Sequence, residues 1–156
     1  MEGVSLVRAS LSSPVVAELI GLLNAELLGL YPEEGATTFD LDAAEVEEGS
    51  GVFFLAMTGD DALGCGALRR LNGEEGEIKR MFVRPEARGR GVSRLVLGGL
   101  EEEARRLGLT RLLLETGDRL GAALGLYGAF GFTRCPCFGS YATKPLSVCM
   151  SKELEP

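Results

Sequence analysis

Apolar and polar positions change period several times along this chain, and the changes mark out its elements. Val4 to Ala9 reads as a first strand. Ser13-Pro14 then offers an N-cap and a proline at the first helical position, and an apolar-rich helix follows through about Leu28. Gly29 to Thr38, with Tyr31-Pro32-Glu33-Glu34-Gly35, reads as a loop, and Asp40 to Glu48 as a short helical stretch. From Gly51 the pattern becomes that of strands. Val52 to Met57 is a short apolar run stopped by Gly59-Asp60-Asp61, Leu63 to Leu71 a second, and Glu77 to Val83 a third beyond Asn72-Gly73. Together they predict an antiparallel meander.

Behind the meander the period turns helical again. Val96, Leu97, Leu100, Ala104 and Leu107 recur at helical spacing, Glu101→Arg105 and Glu102→Arg106 pair on the outer side, and Gly108 terminates the element. Arg111 to Glu115 reads as a strand and Gly121 to Phe130 as a shorter helix closed by Gly131. Phe132 to Cys137 and Leu146 to Met150 read as final strands around a loop from Phe138 to Pro145. No repeat or linker divides the chain, so residues 1–156 are expected to form one domain.

Composition narrows the chemistry. The chain carries a net charge of −7, which disfavours nucleic acid as a partner, because that binding rests on neutralising phosphates. No apolar run approaches the roughly 18 residues of a membrane span, and Met1-Glu2-Gly3-Val4 lacks the basic and apolar regions of a signal peptide. The expected setting is cytoplasmic, with no membrane partner. There is no histidine, which removes every Ser-His-Asp or Cys-His mechanism and any imidazole acid or base. Cys65, Cys135, Cys137 and Cys149 show no recognisable framework and read as buried or strand residues rather than metal ligands. Against the acidic background stands one basic island: Arg80, Arg84, Arg88, Arg90 and Arg94, with Glu86 the single acid among them. A small anionic ligand fits such an island.

The island lies on a strand–turn–helix junction rich in glycine. Unpaired N–H groups and the positive end of the macrodipole make a helix start a site for phosphate, and glycine lets the backbone come close. Three cofactor classes compete. The P-loop pattern Gly-x-x-x-x-Gly-Lys-Ser/Thr is absent. The dinucleotide pattern Gly-x-Gly-x-x-Gly fails at Arg94 and requires a parallel first strand, not a meander. The pyrophosphate of coenzyme A remains.

With these residues in view, the sequence resembles the GCN5-related N-acetyltransferase (GNAT) superfamily over essentially its whole length. Arg88-Gly89-Arg90-Gly91-Val92-Ser93 is similar to that family's Gln/Arg-x-x-Gly-x-Gly/Ala pyrophosphate motif and follows Val83-x-Pro85. Glu115-Thr116-Gly117, Leu126-Tyr127 and Gly131-Phe132 come later in the family's order. Bacterial stand-alone members share Glu77-Ile78-Lys79-Arg80-Met81-Phe82-Val83, Pro136-Cys137-Phe138-Gly139-Ser140-Tyr141 and Ser147-Val148-Cys149. Ser93 departs from the motif's last Gly/Ala, and Leu120-Gly121 stands where relatives often place a polar cofactor contact.

The resemblance implies an α/β (α+β) GNAT fold, a mixed sheet of about six or seven strands flanked by about four helices. It implies transfer of an acetyl group from acetyl-CoA to a primary amine of a small molecule, directly in a ternary complex. The alternatives are a protein N-terminal or lysine acetyltransferase and a non-catalytic acyl-CoA sensor. By resemblance, the Met81, Phe82 and Val83 backbone pairs with the pantetheine arm. Arg88, Gly89, Arg90, Gly91, Val92 and Ser93 hold the pyrophosphate, and Tyr127 protonates the leaving thiolate. Without histidine the base must be a carboxylate, a tyrosine or water, and Glu77 and Glu115 are the candidate carboxylates. Lys79 and Arg80 alternate on their strand, so one of the two is expected to line the cleft and meet a substrate carboxylate. Tyr31, Phe138 and Tyr141 fall in loops that flank the acceptor in relatives, and the C-terminal strands offer an edge for a homodimer.

Overall fold

A computed structural model of the chain describes residues 3–34 and 41–155. Strands β1 (Ser5–Arg8), β2 (Gly51–Thr58), β3 (Asp61–Arg70), β4 (Glu75–Val83), β5 (Arg111–Gly117), β6 (Thr133–Cys135) and β7 (Ser147–Glu153) form one sheet. Their order is β1-β2-β3-β4-β5-β7-β6. All neighbours are antiparallel except β4 and β5, so the sheet is mixed, as expected.

The α-helices among the described residues number three: α1 (Pro14–Leu30), α2 (Val92–Arg106) and α3 (Gly121–Ala129). That is one fewer than expected. The stretch expected to be helical from Asp40 to Glu48 contains instead a 3-10 turn, Ala43–Val46, held where Asp42 N–H donates to Glu45 Oε1 at 2.9 Å. Four residues give too few bonds to offset the cost of nucleating an α-helix. Asp40 and residues 35–38 of the preceding loop lie outside the described residues. The strand expected from Phe132 to Cys137 spans only Thr133–Cys135, because Pro136 has no N–H to continue the ladder.

The apolar run in β2 is continuous because both faces of the sheet are covered. Val52, Phe54 and Ala56 face the core built on α2, and Phe53, Leu55 and Met57 face the core built on α1. Val92, Val96, Leu97, Leu100 and Ala104 form the buried stripe of α2, each at most 1% exposed. Burying a side chain of this size contributes about 1.5–3 kcal/mol. Val16, Leu19 and Leu23 do the same for α1.

Polar contacts fasten α1 to the chain that leaves β4. Arg84 Nη2 donates to Glu18 at 2.9 Å and Arg88 Nη2 to Glu26 at 2.8 Å. Cys137 and Cys149 are joined by a disulfide, a pairing the sequence reading of separate strand cysteines missed. The β6–β7 register sets Cys135 opposite Cys149, and the chain leaving β6 brings Cys137 within 5.0 Å of it, Cα to Cα. The disulfide thereby ties the start of the 138–146 loop to β7.

Candidate functional site

The site begins with a defect in β4. Cys65 and Ala67 of β3 pair with Phe82 and Lys79, so two residues of β4, Arg80 and Met81, oppose the single Gly66 of β3. The extra residue is accommodated at Arg80, whose φ of 60° puts a non-glycine residue in the left-handed region. The Cys65 thiol donates to the Arg80 carbonyl at 3.3 Å and steadies the bulge. Burial pushes that thiol up to about 12, which keeps it protonated and able to donate.

The bulge coincides with a parting of strands. β4 and β5 pair only from Glu75–Ile78 against Arg111–Leu114. Beyond that point β4 stays with β3, and Glu115, Thr116 and Gly117 stay with β7. The two strands diverge, and a cleft of about 1090 Å³ opens between them. Backbone groups of Lys79 to Val83 on the open side are turned into a cavity instead of a neighbouring strand.

At the mouth of the cleft, β4 runs through the 3-10 turn Pro85–Ala87 into α2. Gly89 and Gly91 adopt φ of 78° and 82°, which a side chain would resist. The first helical bond runs from Leu95 N–H to Gly91 C=O at 3.1 Å, so the amides of Val92, Ser93 and Arg94 precede the ladder, as at any helix start. Val92 is buried in the core and anchors this end, while Gly89, Gly91 and Ser93 line the cleft. Arg88 also lines it, its guanidinium spanning Glu26 and the Val83 carbonyl. Arg90 is exposed and stands outside the cleft wall.

The opposite wall is made by β5 and α3. Tyr127 lines the cleft yet is 6% exposed, packed edge-on to Phe132 with ring centroids 5.8 Å apart. Burial, and then the nearby Glu115 charge, raises its phenol well above the usual range, so it holds its proton at any physiological pH. Glu115 also lines the cleft, and its Oε2 accepts from Ser147 Oγ at 2.6 Å. The structure therefore gathers Tyr127, Glu115, Met81 to Val83 and the Gly89–Ser93 loop around one space.

Glu77 sits differently. It is 1% exposed and absent from the cleft wall. Its Oε1 accepts from Arg69 Nε at 2.9 Å and Nη2 at 2.8 Å, and its Oε2 accepts from Tyr141 hydroxyl at 2.8 Å. Tyr141 itself lines the cleft with Phe138, the two rings edge-on at 5.3 Å. Lys79 and Arg80 both line it, where strand alternation predicts only one; the bulge breaks the alternation between them. Asn24 Oδ1 accepts from both Arg80 terminal nitrogens, at 3.1 and 3.3 Å.

Tyr31 lines the same space and also locks it. Its hydroxyl donates to Asp118 Oδ1 at 3.2 Å and accepts from the Arg119 N–H at 2.6 Å, with the Arg119 guanidinium over its ring. The ring lies against Gly117, where an added Cβ would overlap the hydroxyl. Gly117→Ala is expected to lower stability by about 1–3 kcal/mol through this overpacking. A denaturant midpoint matching the wild type would show that Tyr31 is not held there.

Sequence reading missed Asn24, Arg69, Arg119 and Ser147. Their signal is weak because each acts through a partner distant in the chain: Arg69 meets Glu77 across β3–β4, and Ser147 meets Glu115 across β5–β7. The bulge carries no sequence mark at all, since Arg80 is an ordinary residue in an unusual conformation.

Comparison with known proteins adds to this geometry. Residues 16–132 match the model of the acetyltransferase (GNAT) family. The chain is 39% identical over 155 residues to an IAA acetyltransferase of Azospirillum brasilense, covering 99% of this chain and 100% of that one. It is 42% identical over 104 residues to the N-acetyltransferase YsnE of Bacillus subtilis, covering 65% and 69%. Among solved structures, an acyl-CoA N-acyltransferase from Klebsiella pneumoniae superposes with a TM-score of 0.82 at 28% identity, covering 97% and 98%. A GNAT family acetyltransferase from Elizabethkingia anophelis, solved with acetyl-CoA bound, superposes at 0.70 with 19% identity, covering 99% and 100%, and shares the fold.

Proposed function

Because the chain belongs to the acetyltransferase (GNAT) family, we propose that it transfers an acetyl group from acetyl-CoA directly to the primary amine of a small molecule. The parting of β4 and β5 carries this reading. One continuous cleft runs from a helix start suited to phosphate, along unpaired strand edge, to a buried phenol and a carboxylate. An extended thioester of coenzyme A fits that run of groups.

In this reading the backbone of Gly89 to Ser93 binds the pyrophosphate and Arg88 contributes charge. The β4 edge from Val83 to Met81 pairs with the amides of the pantetheine arm, and an N–H there polarises the thioester carbonyl. The amine attacks the acetyl carbon, the C–S bond breaks, and the Tyr127 hydroxyl gives its proton to the departing thiolate. Glu115 receives the ammonium proton, directly or through one water, because it faces the cleft. Glu77 holds Tyr141 and Arg69 in place from behind the wall and is assigned a positioning role. A small acceptor is favoured over a protein because the 138–146 loop and α1 wall the acceptor half on two sides.

Thiol release from acetyl-CoA across a panel of small amines tests the reading. Glu115→Gln is expected to lower kcat by about 100-fold and to steepen its rise with pH, since the amine must then lose its proton to solvent. Equal rates in Glu115→Gln and wild type at neutral pH would remove the base from Glu115. An absence of thiol release with every amine would reject the transferase reading itself.

A further inference from the structure

All three tyrosines of the chain line the cleft, and their hydroxyls are used differently. Tyr31 is engaged on both sides, by Asp118 and by the Arg119 N–H. Tyr127 is the proton donor of the reading above. The proton of Tyr141 is committed elsewhere: its hydroxyl donates to Glu77 Oε2 at 2.8 Å. The other Glu77 oxygen takes Nε and Nη2 of Arg69 at 2.9 and 2.8 Å, and Arg69 Nη1 donates to Glu45 at 2.6 Å. A carboxylate bound in this way to a guanidinium only accepts, and a hydroxyl has one proton to give. Lone pairs of the phenol oxygen are therefore what Tyr141 has left for a ligand.

The ring is held so that this polarity persists. Cys137 is tied to Cys149 where the loop begins, the 3-10 turn Gly139–Thr143 carries the tyrosine, and Phe138 packs edge-on to it. Lys144 Nζ stands over the ring, 5.9 Å from its centroid. Arg69, Arg80 and Lys144 line the cleft around this phenol, and side chains of these types carry donors only. An incoming N–H finds its acceptors in the Tyr141 oxygen and in the Glu115 carboxylate, whose charge reaches that phenol.

We infer that Tyr141 touches the acceptor directly, its oxygen accepting an N–H of the amine, and that Glu77 sets this polarity from behind without touching the acceptor. This contact rests on the acetyl-transfer reading above and assigns two residues of its acceptor half. Tyr141 holds one N–H while Glu115 takes the proton to be lost, so two groups orient the amine before it meets the thioester. No bond to Tyr141 is made or broken. Burial, then the Glu77 charge and its hydrogen bond, then the Glu115 charge raise the phenol well above its usual range, so its own proton stays in place.

The test reads thiol release at saturating acetyl-CoA with isoamylamine, 2-phenylethylamine and leucine methyl ester, and carries the fastest of them through the variants. Tyr141→Phe keeps the ring against Phe138 and removes only the oxygen. It is expected to lower kcat/KM for the amine by about tenfold, mainly through KM, with the acetyl-CoA Kd unchanged. In Glu77→Gln the amide carbonyl meets Arg69, so the amide nitrogen donates to Tyr141 and the phenol proton turns into the cleft. Donor then faces donor, and the loss is expected to be at least as large. In the Tyr141→Phe background Glu77→Gln is expected to add nothing to the amine KM, whereas a purely structural Glu77 would act equally in both backgrounds. Should Glu77→Gln fail to fold, Tyr141→Phe alone decides the contact. An unchanged amine kcat/KM in Tyr141→Phe, a loss carried by kcat alone, or equal Glu77→Gln effects in both backgrounds overturns the inference and leaves the acetyltransferase reading standing. Failure of wild type with all three amines overturns the two together.

Discussion

Replacing Tyr127 by phenylalanine is expected to lower kcat by about 100-fold, the scale of a lost general acid, while acetyl-CoA affinity stays near the wild-type value. The substitution leaves most of the site alone. The ring fills a buried position against Phe132, and phenylalanine keeps that packing. Only the hydroxyl goes. It lies in the cleft wall near Glu115, and burial together with that charge holds its proton on. A phenol kept neutral by its surroundings is a proton donor to a thiolate formed beside it and a poor base. Accordingly, the wild-type rate should show no loss assignable to this phenol as pH rises toward 10, its ordinary pKa. Steady-state kinetics with calorimetric titration of acetyl-CoA separates the outcomes. Unchanged kcat in Tyr127→Phe would reduce the residue to a packing role.

The second large effect is expected at Gly91. Aspartate tolerates the left-handed backbone better than most residues, and a Cβ at Gly91 meets no atom within 4 Å. Gly91→Asp should therefore fold with a small loss of stability. Its carboxylate, however, would stand at the N-terminus of α2, where the pyrophosphate is placed. Repulsion between the two anions and a blocked approach of the backbone are expected to raise the Kd for coenzyme A by about 100-fold, near 2.7 kcal/mol. Raising ionic strength should recover part of the loss, because screening weakens the repulsion. An unchanged Kd with a normal melting temperature would place the phosphates elsewhere.

Much of this architecture was legible in the residues. The meander was readable because β2, β3 and β4 are separated by glycine turns. Helix α2 was readable because Val96 to Leu107 keep a strict helical period with Gly108 behind them. Its glycine-rich entry then pointed to coenzyme A once the antiparallel strands and Tyr127 were taken with it. What escaped depends on pairings across the sheet. The bulge at Arg80 arises from the mismatch between β3 and β4, and no residue type announces it. Its consequence is that Lys79 and Arg80 share the cleft, which period-two alternation forbids. Glu77 and Glu115 looked equivalent at the ends of adjacent strands. The paired part of β4 and β5 buries Glu77 behind Tyr141, and the parted section leaves Glu115 in the open cleft. Cys137 and Cys149 looked unrelated because their pairing depends on the β6–β7 register.

In the proposed function, the parted strands β4 and β5 and the Gly89–Ser93 loop act as one binding surface for acetyl-CoA. A crystal structure of the protein with coenzyme A tests this most directly. The expected result is diphosphate oxygens on the amides of Gly89 to Ser93, pantetheine amides paired with the β4 edge between Val83 and Met81, and the thiol within hydrogen-bonding reach of the Tyr127 hydroxyl. Coenzyme A bound at another surface, or with its thiol remote from Tyr127 and its phosphates away from the loop, would contradict it.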